Sequence, residues 1–266
     1  MQPNVAVLWR RLPPDLDILI ADCIRAGRAR SDGKDGEYIF FRADDVAVPG
    51  RQFSRMMQLF STYGVPLSLS VVPAVLTRPR WQYLNGFEKM NAGRWCWHQH
   101  GWRHINHETQ GKKQEFGGAR TGAAISKDLL QGKKRLEAIM GERFYPVFTP
   151  PWNRCSRETL KLLKELGYAA VSRSRASKTP LPDGLPDYYV NVDLHTRKEK
   201  RPAESWKNLF TELKQAFAVK YCGIMIHHRR MNAAAFDFLE ILLKQLVETP
   251  ELELVNFRDL VQKKIN

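Results

Sequence analysis

Short apolar runs alternate with amphipathic segments along most of the chain. Runs such as "YIFFRADD" and "YCGIMIHH" have the length and composition of buried strands. The segment "RQFSRMMQLFSTYG" predicts a helix, because Phe53, Met56, Met57 and Phe60 recur at helical spacing. About seven such strands, most of them followed by a helix, predict an α/β fold with a parallel sheet or barrel covered by helices.

Capping residues indicate where individual helices begin and end. Ser156 predicts the start of the helix in "SRETLKLLKELG", and Ser126 is the expected N-cap of "SKDLLQGKKRLEAIMG". The segment "DLDILIADCIRAG" predicts an earlier helix that ends at Gly27. We therefore expect one domain over residues 1–266, with a helical extension at 1–36 and the barrel at 37–266.

Polar side chains gather where the apolar runs end. They are Asp44 and Asp45, His98 and His100, Trp152 and Asn153, Asp193 and His195, and His227 and His228. In barrels of alternating strands and helices, catalytic groups come from the carboxyl ends of several strands. Five runs that end in this way predict one functional site at that end of the sheet.

Four of the seven histidines lie within ten residues, in "WCWHQHGWRHINHE". The spacing of His100 and His104 places both rings on one side of a helical turn, and His107 extends that side. On an extended segment, His98 and His100 would share a side instead. Such a cluster is a metal site, an acid–base site or a coincidence, and four imidazoles in ten residues favour the metal.

Two further positions have chemistry that such a site needs. Asp44 and Asp45 are adjacent carboxylates, and burying both is costly unless a dication stabilises them. Taken alone, a turn before Pro49 is the simpler interpretation of this pair. His227 follows the apolar "GIMI" and suits a general acid near neutral pH, or is a polar residue at the edge of the core. His228 would point to the opposite face.

The net charge of +14 favours an acidic partner: nucleic acid, an anionic polysaccharide or a lipid surface. The basic residues are dispersed, however, and no nucleic-acid-binding motif is present. A solvated basic surface is therefore the simplest interpretation of the charge, and an anionic substrate is the more specific alternative. No nucleic acid is expected as a partner.

Several classes of protein are not expected. No apolar window is long enough for a transmembrane helix, and the N-terminus lacks the order of a secretion signal, so we expect a cytoplasmic protein. The cysteines, Cys23, Cys96, Cys155 and Cys222, form no Cys-x-x-Cys pair. They are expected to be buried free thiols rather than zinc ligands or disulfides.

The segments "FRADDV", "HGWRH", "FTPPWNR", "VNVDLH" and "MIHH", in this order, resemble the five motifs of the polysaccharide deacetylase (NodB-homology) family, carbohydrate esterase family 4. The resemblance extends from about Tyr38 to Met231, and its specific part is the Asp-Asp pair followed by His-x-x-x-His. It implies a deformed (β/α)₇ barrel and the metal-dependent hydrolytic removal of an acetyl group from an N-acetylated sugar.

The resemblance also implies roles for individual residues. Asp44 would be the general base and His227 the general acid. Asp45, His100 and His104 would bind one divalent cation, with zinc expected first and cobalt, manganese or nickel as alternatives. This ligand set leaves positions on the metal for water and substrate. Trp152, with Asn153 beside it, would line the sugar groove.

The sequence departs from the family pattern in its third motif. Thr149 stands where the family has an arginine that orients the base. Arg42 and Arg154 are the two candidates to supply that charge, and Asp193, in the fourth motif, would lack its usual partner. His98 and His107 lie outside the pattern and are expected to orient the metal ligands.

Two other functions stay open at this point. One is the metal-dependent hydrolysis of another amide or ester. The other is a catalytically silent protein that binds anionic glycan or nucleic acid through its charge. Metal content distinguishes the two hydrolases from the silent binder.

Overall fold

The computed structural model describes residues 5–30, 37–89, 93–219 and 221–264. Parts of the predicted N-terminal extension, residues 1–4 and 31–36, lie outside this range. The described residues form two compact units, each built from separate stretches of the chain. The first contains residues of 1–43, 50–67 and 191–256, and the second contains residues of 44–49, 68–190 and 257–266.

Helices and strands alternate through the described residues. The helices are α1 (Leu16–Arg28), α2 (Arg51–Thr62), α3 (Arg78–Asn85), α4 (Gly122–Met140), α5 (Arg157–Glu165), α6 (Pro202–Ala216), α7 (Ala233–Val247) and α8 (Phe257–Gln262). The strands are β1 (Glu37–Val46), β2 (Leu67–Val71), β3 (Trp95–His100), β4 (Phe144–Thr149), β5 (Ala170–Val171), β6 (Val192–Asp193), β7 (Tyr221–Ile226) and β8 (Leu252–Val255).

The first unit contains strands in the order β8-β1-β7-β6, and every pair is parallel. Helix α1, from the predicted N-terminal extension, packs against α6 and α7. The apolar face predicted for α2 is confirmed, because Phe53, Met56, Met57 and Phe60 are all fully buried. Strand β1 belongs to this unit as far as residue 43 and continues into the second unit with residue 44.

The second unit contains strands in the order β2-β3-β4-β5, with parallel pairing of β3 with β4 and of β4 with β5. Helices α4 and α5 pack against each other. Their apolar faces form a core with strand residues and the loop residue Phe116. The long loop from residue 101 to residue 121 is therefore attached to this core through the buried ring of Phe116 and the partly buried ring of Trp102.

The predicted helix boundaries were partly correct. Ser156 caps α5 as expected, since its side chain accepts a hydrogen bond from the Thr159 backbone N–H. The prediction for α4 was wrong: the helix begins more than a turn before Ser126, and Thr121 caps it by accepting from the N–H of Ala124. Both residues have a suitable hydroxyl, but only Thr121 has the extended backbone of an N-cap.

The four cysteines are free and buried, as predicted. Burial raises the pKa of Cys155 to about 12 and that of Cys23 to about 11, so both thiols stay protonated near neutral pH. Among the described helices, none has the length and apolar character needed to cross a membrane. The cytoplasmic location stays a prediction.

Candidate functional site

Three predicted metal ligands of the second unit converge. Asp45 lies near the end of β1, His100 is the last residue of β3, and His104 lies in the loop that follows β3. The Oδ1 atom of Asp45 is 3.3 Å from Nε2 of His100 and 3.3 Å from Nε2 of His104. One ligand atom from each residue lies within 4.8 Å of the other two.

This arrangement fits a tetrahedral cation. Bonds of about 2.1 Å around such an ion place its ligand atoms roughly 3.4 Å apart, close to the 3.3 Å between the Asp45 oxygen and each of the two Nε2 atoms. His100 also has the hydrogen bond typical of a ligating imidazole, because its Nδ1 donates to the Thr149 carbonyl at 3.0 Å. Its Nε2, when deprotonated, therefore directs a lone pair at the other two ligands.

The two histidines reach the same side by a route that differs from the prediction. The spacing of His100 and His104 was interpreted as one helical turn, but the intervening residues form an irregular loop. His104 has a left-handed backbone with φ of 60°, and Gly101 has φ of 57°. The loop therefore doubles back on itself, which brings the second imidazole to the first without a helix.

Strained backbone is concentrated at this site. Among described non-glycine residues, positive φ occurs at Asp45, His104, Trp152 and Asn153, and otherwise only at Lys264 near the C-terminus. Each such conformation costs about 1–3 kcal/mol and persists where its surroundings impose it. The four at predicted site residues all lie in the second unit.

The histidines have opposite pKa shifts. Burial lowers the pKa of His100, but the hydrogen bond with Asp45 and the charges of Asp44 and Asp45 outweigh it, so the pKa is raised. Burial and the neighbouring His100 lower the pKa of His104. Asp44 is itself buried, at 3% exposure, directly before the half-exposed Asp45. The site therefore places two carboxylates and two imidazoles where a cation would be stabilised.

Thr149, at the position of the family's arginine, supports the histidines. Its carbonyl binds His100, and its hydroxyl forms a 2.9 Å hydrogen bond with Nε2 of His98. His98 is fully buried and its Nδ1 donates to the carbonyl of Cys96 at 3.3 Å. Thr149 thus links His98 to His100, and the predicted supporting role of His98 stays a prediction.

Two other predicted supporting residues do not contact the ligands among the described residues. His107 is exposed, and its backbone N–H donates to the Gln114 carbonyl, so its ring orients neither metal ligand. Arg154 donates to the carbonyl of Lys113 at 3.4 Å and makes no hydrogen bond to Asp44.

Trp152 lies beside the metal ligands. Its ring is 4.5 Å from the ring of His104 in an edge-to-face arrangement. Both Trp152 and Asn153 are partly exposed, in the short turn after Pro150. The carbonyl of Asn153 accepts a hydrogen bond from the Ser177 hydroxyl at 3.2 Å. The indole is therefore held next to the site with part of its surface available.

Sequence reasoning missed Glu115, which is 1% exposed in the loop after the histidine cluster. Its carboxyl oxygens accept hydrogen bonds from the backbone N–H groups of Trp102 at 3.1 Å and Arg103 at 2.6 Å. Burial raises its pKa, although these N–H groups act in the opposite direction. No motif indicates this residue, because its partners are defined only by the folded loop.

The remaining predicted residues belong to the first unit. Asp193 accepts hydrogen bonds from the N–H groups of His195 and Thr196 and from the Thr196 hydroxyl. His195 is buried, and its Nδ1 accepts from the backbone N–H of His227 at 3.2 Å. Burial and then the nearby histidines lower the pKa of His195 far below its usual value. Asp193 therefore organises its own loop, and His195 contacts the backbone of the predicted acid.

Arg42 is fully buried in β1, also in the first unit. Its Nη2 donates to the sulfur of Met225 at 3.0 Å. The predicted effect of Arg42 on the base stays a prediction.

The sequence matches a model of polysaccharide deacetylases over residues 37–171, slightly more than half of the chain. The chain belongs to the polysaccharide deacetylase family. The match begins at the first residue of the predicted barrel and includes the Asp-Asp pair and the histidine cluster. Membership in this family indicates carbohydrate deacetylation as the class of reaction.

Solved structures confirm the α/β fold class. A candidate polysaccharide deacetylase from Mycobacterium smegmatis has 14% identity and a TM-score of 0.66, with 87% of this chain and 91% of that chain covered. An acetyl xylan esterase from Clostridium thermocellum, in complex with a cobalt ion, has 12% identity and a TM-score of 0.56, with 85% and 91% covered. The PuuE allantoinase has 14% identity and a TM-score of 0.61, with 88% and 92% covered. Among curated proteins, no sequence matches this chain.

Proposed function

We propose that this polysaccharide deacetylase family member is a metal-dependent hydrolase that removes an acetyl group from an N-acetylated sugar. The observation that supports it best is the convergence of Asp45, His100 and His104, whose ligand atoms lie within 4.8 Å of one another, with the Asp45 oxygen 3.3 Å from each imidazole. Asp44 lies directly before the first of these ligands and Trp152 lies against the last. Zinc is the expected cation, and cobalt, manganese and nickel are alternatives with the same donor set.

In this proposal, each side chain has one chemical task. A bound dication would polarise the acetyl carbonyl and acidify the attacking water. Asp44 accepts the proton of that water as the new C–O bond forms. His227 donates a proton to the amine nitrogen as the C–N bond breaks, because the unprotonated nitrogen is a poor leaving group. The products are acetate and a free amino sugar.

Trp152 is proposed to contact the sugar ring. A partly exposed indole next to the reacting group offers an apolar face that matches the C–H face of a pyranose. Its left-handed backbone and its packing on His104 fix the ring before substrate arrives. Asn153, in the same turn, has an amide that suits a sugar hydroxyl.

Positive charge around this turn favours an anionic substrate. The loops around this turn carry five basic residues: Lys112, Lys113, Arg154, Arg175 and Lys178. We call them the basic rim. Their loops meet, since Arg154 binds the Lys113 carbonyl and Ser177 binds the Asn153 carbonyl. None of the five has an acidic partner among the described residues. We therefore propose an N-acetylated sugar that bears a carboxylate or phosphate.

An acetate-release assay tests the proposal. The protein is given zinc, cobalt or manganese and a panel of N-acetylated sugars and glycolipids, and we expect metal-dependent release of acetate. Asp44→Asn should keep the metal and lose about 10²–10⁴-fold in rate, as expected for removal of a general base. A wild-type protein that binds no divalent cation and releases no acetate would leave a silent binder of anionic glycan as the alternative.

A second candidate is the hydrolysis of another amide or ester. It is favoured by Thr149, which replaces the arginine of the family's third motif and whose hydroxyl is already hydrogen-bonded to His98. The panel should therefore include allantoin and O-acetylated xylan, because two of the structural neighbours are an allantoinase and an acetyl xylan esterase. Metal-dependent turnover of either compound, without release from N-acetyl sugars, would favour this second function.

A further inference from the structure

The loop that carries His104 has an irregular backbone that needs contacts from elsewhere to fix it. Residues 101–107 form no helix or strand, yet His104 must hold a left-handed backbone for its ring to reach Asp45. A loop of this kind needs contacts that fix its backbone, because its own hydrogen bonds do not.

Glu115 supplies such contacts from eleven residues further along the chain. Its Oε2 accepts from the N–H of Trp102 and its Oε1 accepts from the N–H of Arg103, so both oxygens bind the two residues directly before His104. The side chain is 1% exposed and has no basic partner among the described residues. A buried carboxyl group whose partners are two successive backbone N–H groups is suited to fixing the direction of that backbone.

The space for this carboxyl group is created by a glycine. A Cβ atom on Gly101 would lie 2.1 Å from Oε2 of Glu115 and 2.5 Å from Cγ of Pro151. The φ of Gly101, 57°, is also one that other residues adopt only with strain. Glu115 and Gly101 therefore fit each other, immediately after the ligand His100.

Other backbone groups of the loop are bound to the same unit. The N–H of Gly101 donates to the Thr149 carbonyl at 3.2 Å, and its carbonyl accepts from the Gln99 side chain at 2.9 Å. The carbonyl of Trp102 accepts from the Ala74 N–H at 3.0 Å. Glu115 binds the N–H groups of Trp102 and Arg103, which form no hydrogen bonds with the described strands or helices.

We propose that Glu115 is a positioning residue for the metal site: it sets the path of residues 101–104 so that His104 meets Asp45 and His100. The inference rests on the proposed metal-binding function. Glu115 forms no hydrogen bond with a ligand atom, so it positions His104 through the backbone of the loop, and its charge also interacts with His100. Outer groups of this kind change metal affinity by about 10–100-fold when they are removed.

The test compares Glu115→Gln with a matched variant, Glu88→Gln. Glutamine keeps one acceptor oxygen but turns an amide NH₂ toward an N–H group, so one hydrogen bond is lost and two donors face each other. Glu88 is also buried in the second unit and also accepts a backbone N–H, from Gly93, but it contacts Trp97 and Arg143 rather than the loop. Both variants should lower the melting temperature.

Metal affinity distinguishes the two. Cobalt and zinc titrations of the full chain should show at least about tenfold weaker binding for Glu115→Gln, with a changed cobalt absorption spectrum, and unchanged binding for Glu88→Gln. Equal affinity of Glu115→Gln and wild type would overturn this inference alone. A wild type that binds neither metal would overturn the proposed function and this inference with it. If Glu115→Gln does not fold, Glu115→Asp, whose shorter side chain cannot reach both N–H groups, is measured in the same way.

Discussion

The regions around His104 and His227 are organised in different ways. Around His104, the neighbouring polar groups act on the ligands: Thr149 binds His100, and Glu115 binds the backbone that precedes His104. Around His227, Asp193 binds the backbone of its own loop, and His195 is a buried neutral acceptor for the N–H of residue 227. In the first region the supporting groups bind the candidate metal ligands or the backbone beside them, and in the second region they bind backbone N–H groups.

This difference separates two kinds of function. Metal binding requires several donor atoms at fixed mutual distances, and the second unit provides them. A general acid requires one imidazole, and at His227 the hydrogen bond from the N–H to His195 fixes the backbone of the residue that carries it. The loss of metal and the loss of proton transfer should therefore be separable by mutation.

The largest effect should come from removing a ligand. Asp45→Ala should weaken zinc binding by on the order of a thousandfold, because about 12 kcal/mol of binding shared by three side chains is about 4 kcal/mol for each. His227→Gln should keep the metal and lower kcat for acetate release by about 100-fold or more. Isothermal titration and the acetate assay measure the two quantities. Loss of zinc from His227→Gln would contradict the separation.

A smaller effect is expected from Gly101→Ala. The new methyl group would meet Glu115 and Pro151 at a positive φ, so we expect a loss of about 1–3 kcal/mol in stability and weaker metal binding. Gly118→Ala, in the same long loop, is the control, because a Cβ there has no atom within 4 Å and φ is not positive. Thermal melts and cobalt titration compare the two. Equal behaviour of both variants would show that the loop tolerates a side chain next to His100.

The smallest effect is a pH dependence that belongs to the His227 region. Because the pKa of His195 is lowered in the folded state, the unfolded chain binds the extra proton first as pH falls below about 6.5. The contribution of the neutral His195 to the free energy of unfolding is therefore complete above that pH. Below it, this contribution is lost at about 1.4 kcal/mol per pH unit. Urea unfolding at several pH values should give a shallower dependence for His195→Gln than for wild type. The exposed His107→Gln should follow the wild type, and parallel curves for all three proteins would contradict a neutral buried His195.

The sequence predicted the parts of this molecule that depend on local periodicity or on motif chemistry. The buried face of α2 follows from the spacing of Phe53, Met56, Met57 and Phe60, and the strands follow from their apolar runs. The histidine spacing indicates His100 and His104 as candidate ligands, and the family resemblance adds Asp45. These predictions use local spacing or motif chemistry, and they do not depend on contacts between residues distant in sequence.

The missed features all depend on contacts distant in sequence or on backbone conformation. Glu115 is an ordinary glutamate in "KKQEFGG", and only the folded loop makes its oxygens the partners of residues 102 and 103. The bend between His100 and His104 is irregular, whereas equal spacing on a helix would have given the same sequence pattern. The partners of Asp193, the N–H groups of His195 and Thr196, were also not predictable, because they depend on the conformation of its own loop.

X-ray absorption spectroscopy of the zinc-loaded protein tests the central claim most directly. The account predicts one zinc ion per chain, four-coordinate, with two imidazole nitrogens at about 2.0–2.1 Å and a carboxylate oxygen at about 2.0–2.2 Å. The imidazole signal should fall by half in His104→Ala. A spectrum with no imidazole contribution, or one that His104→Ala leaves unchanged, would contradict the assignment of Asp45, His100 and His104 as ligands of a single cation.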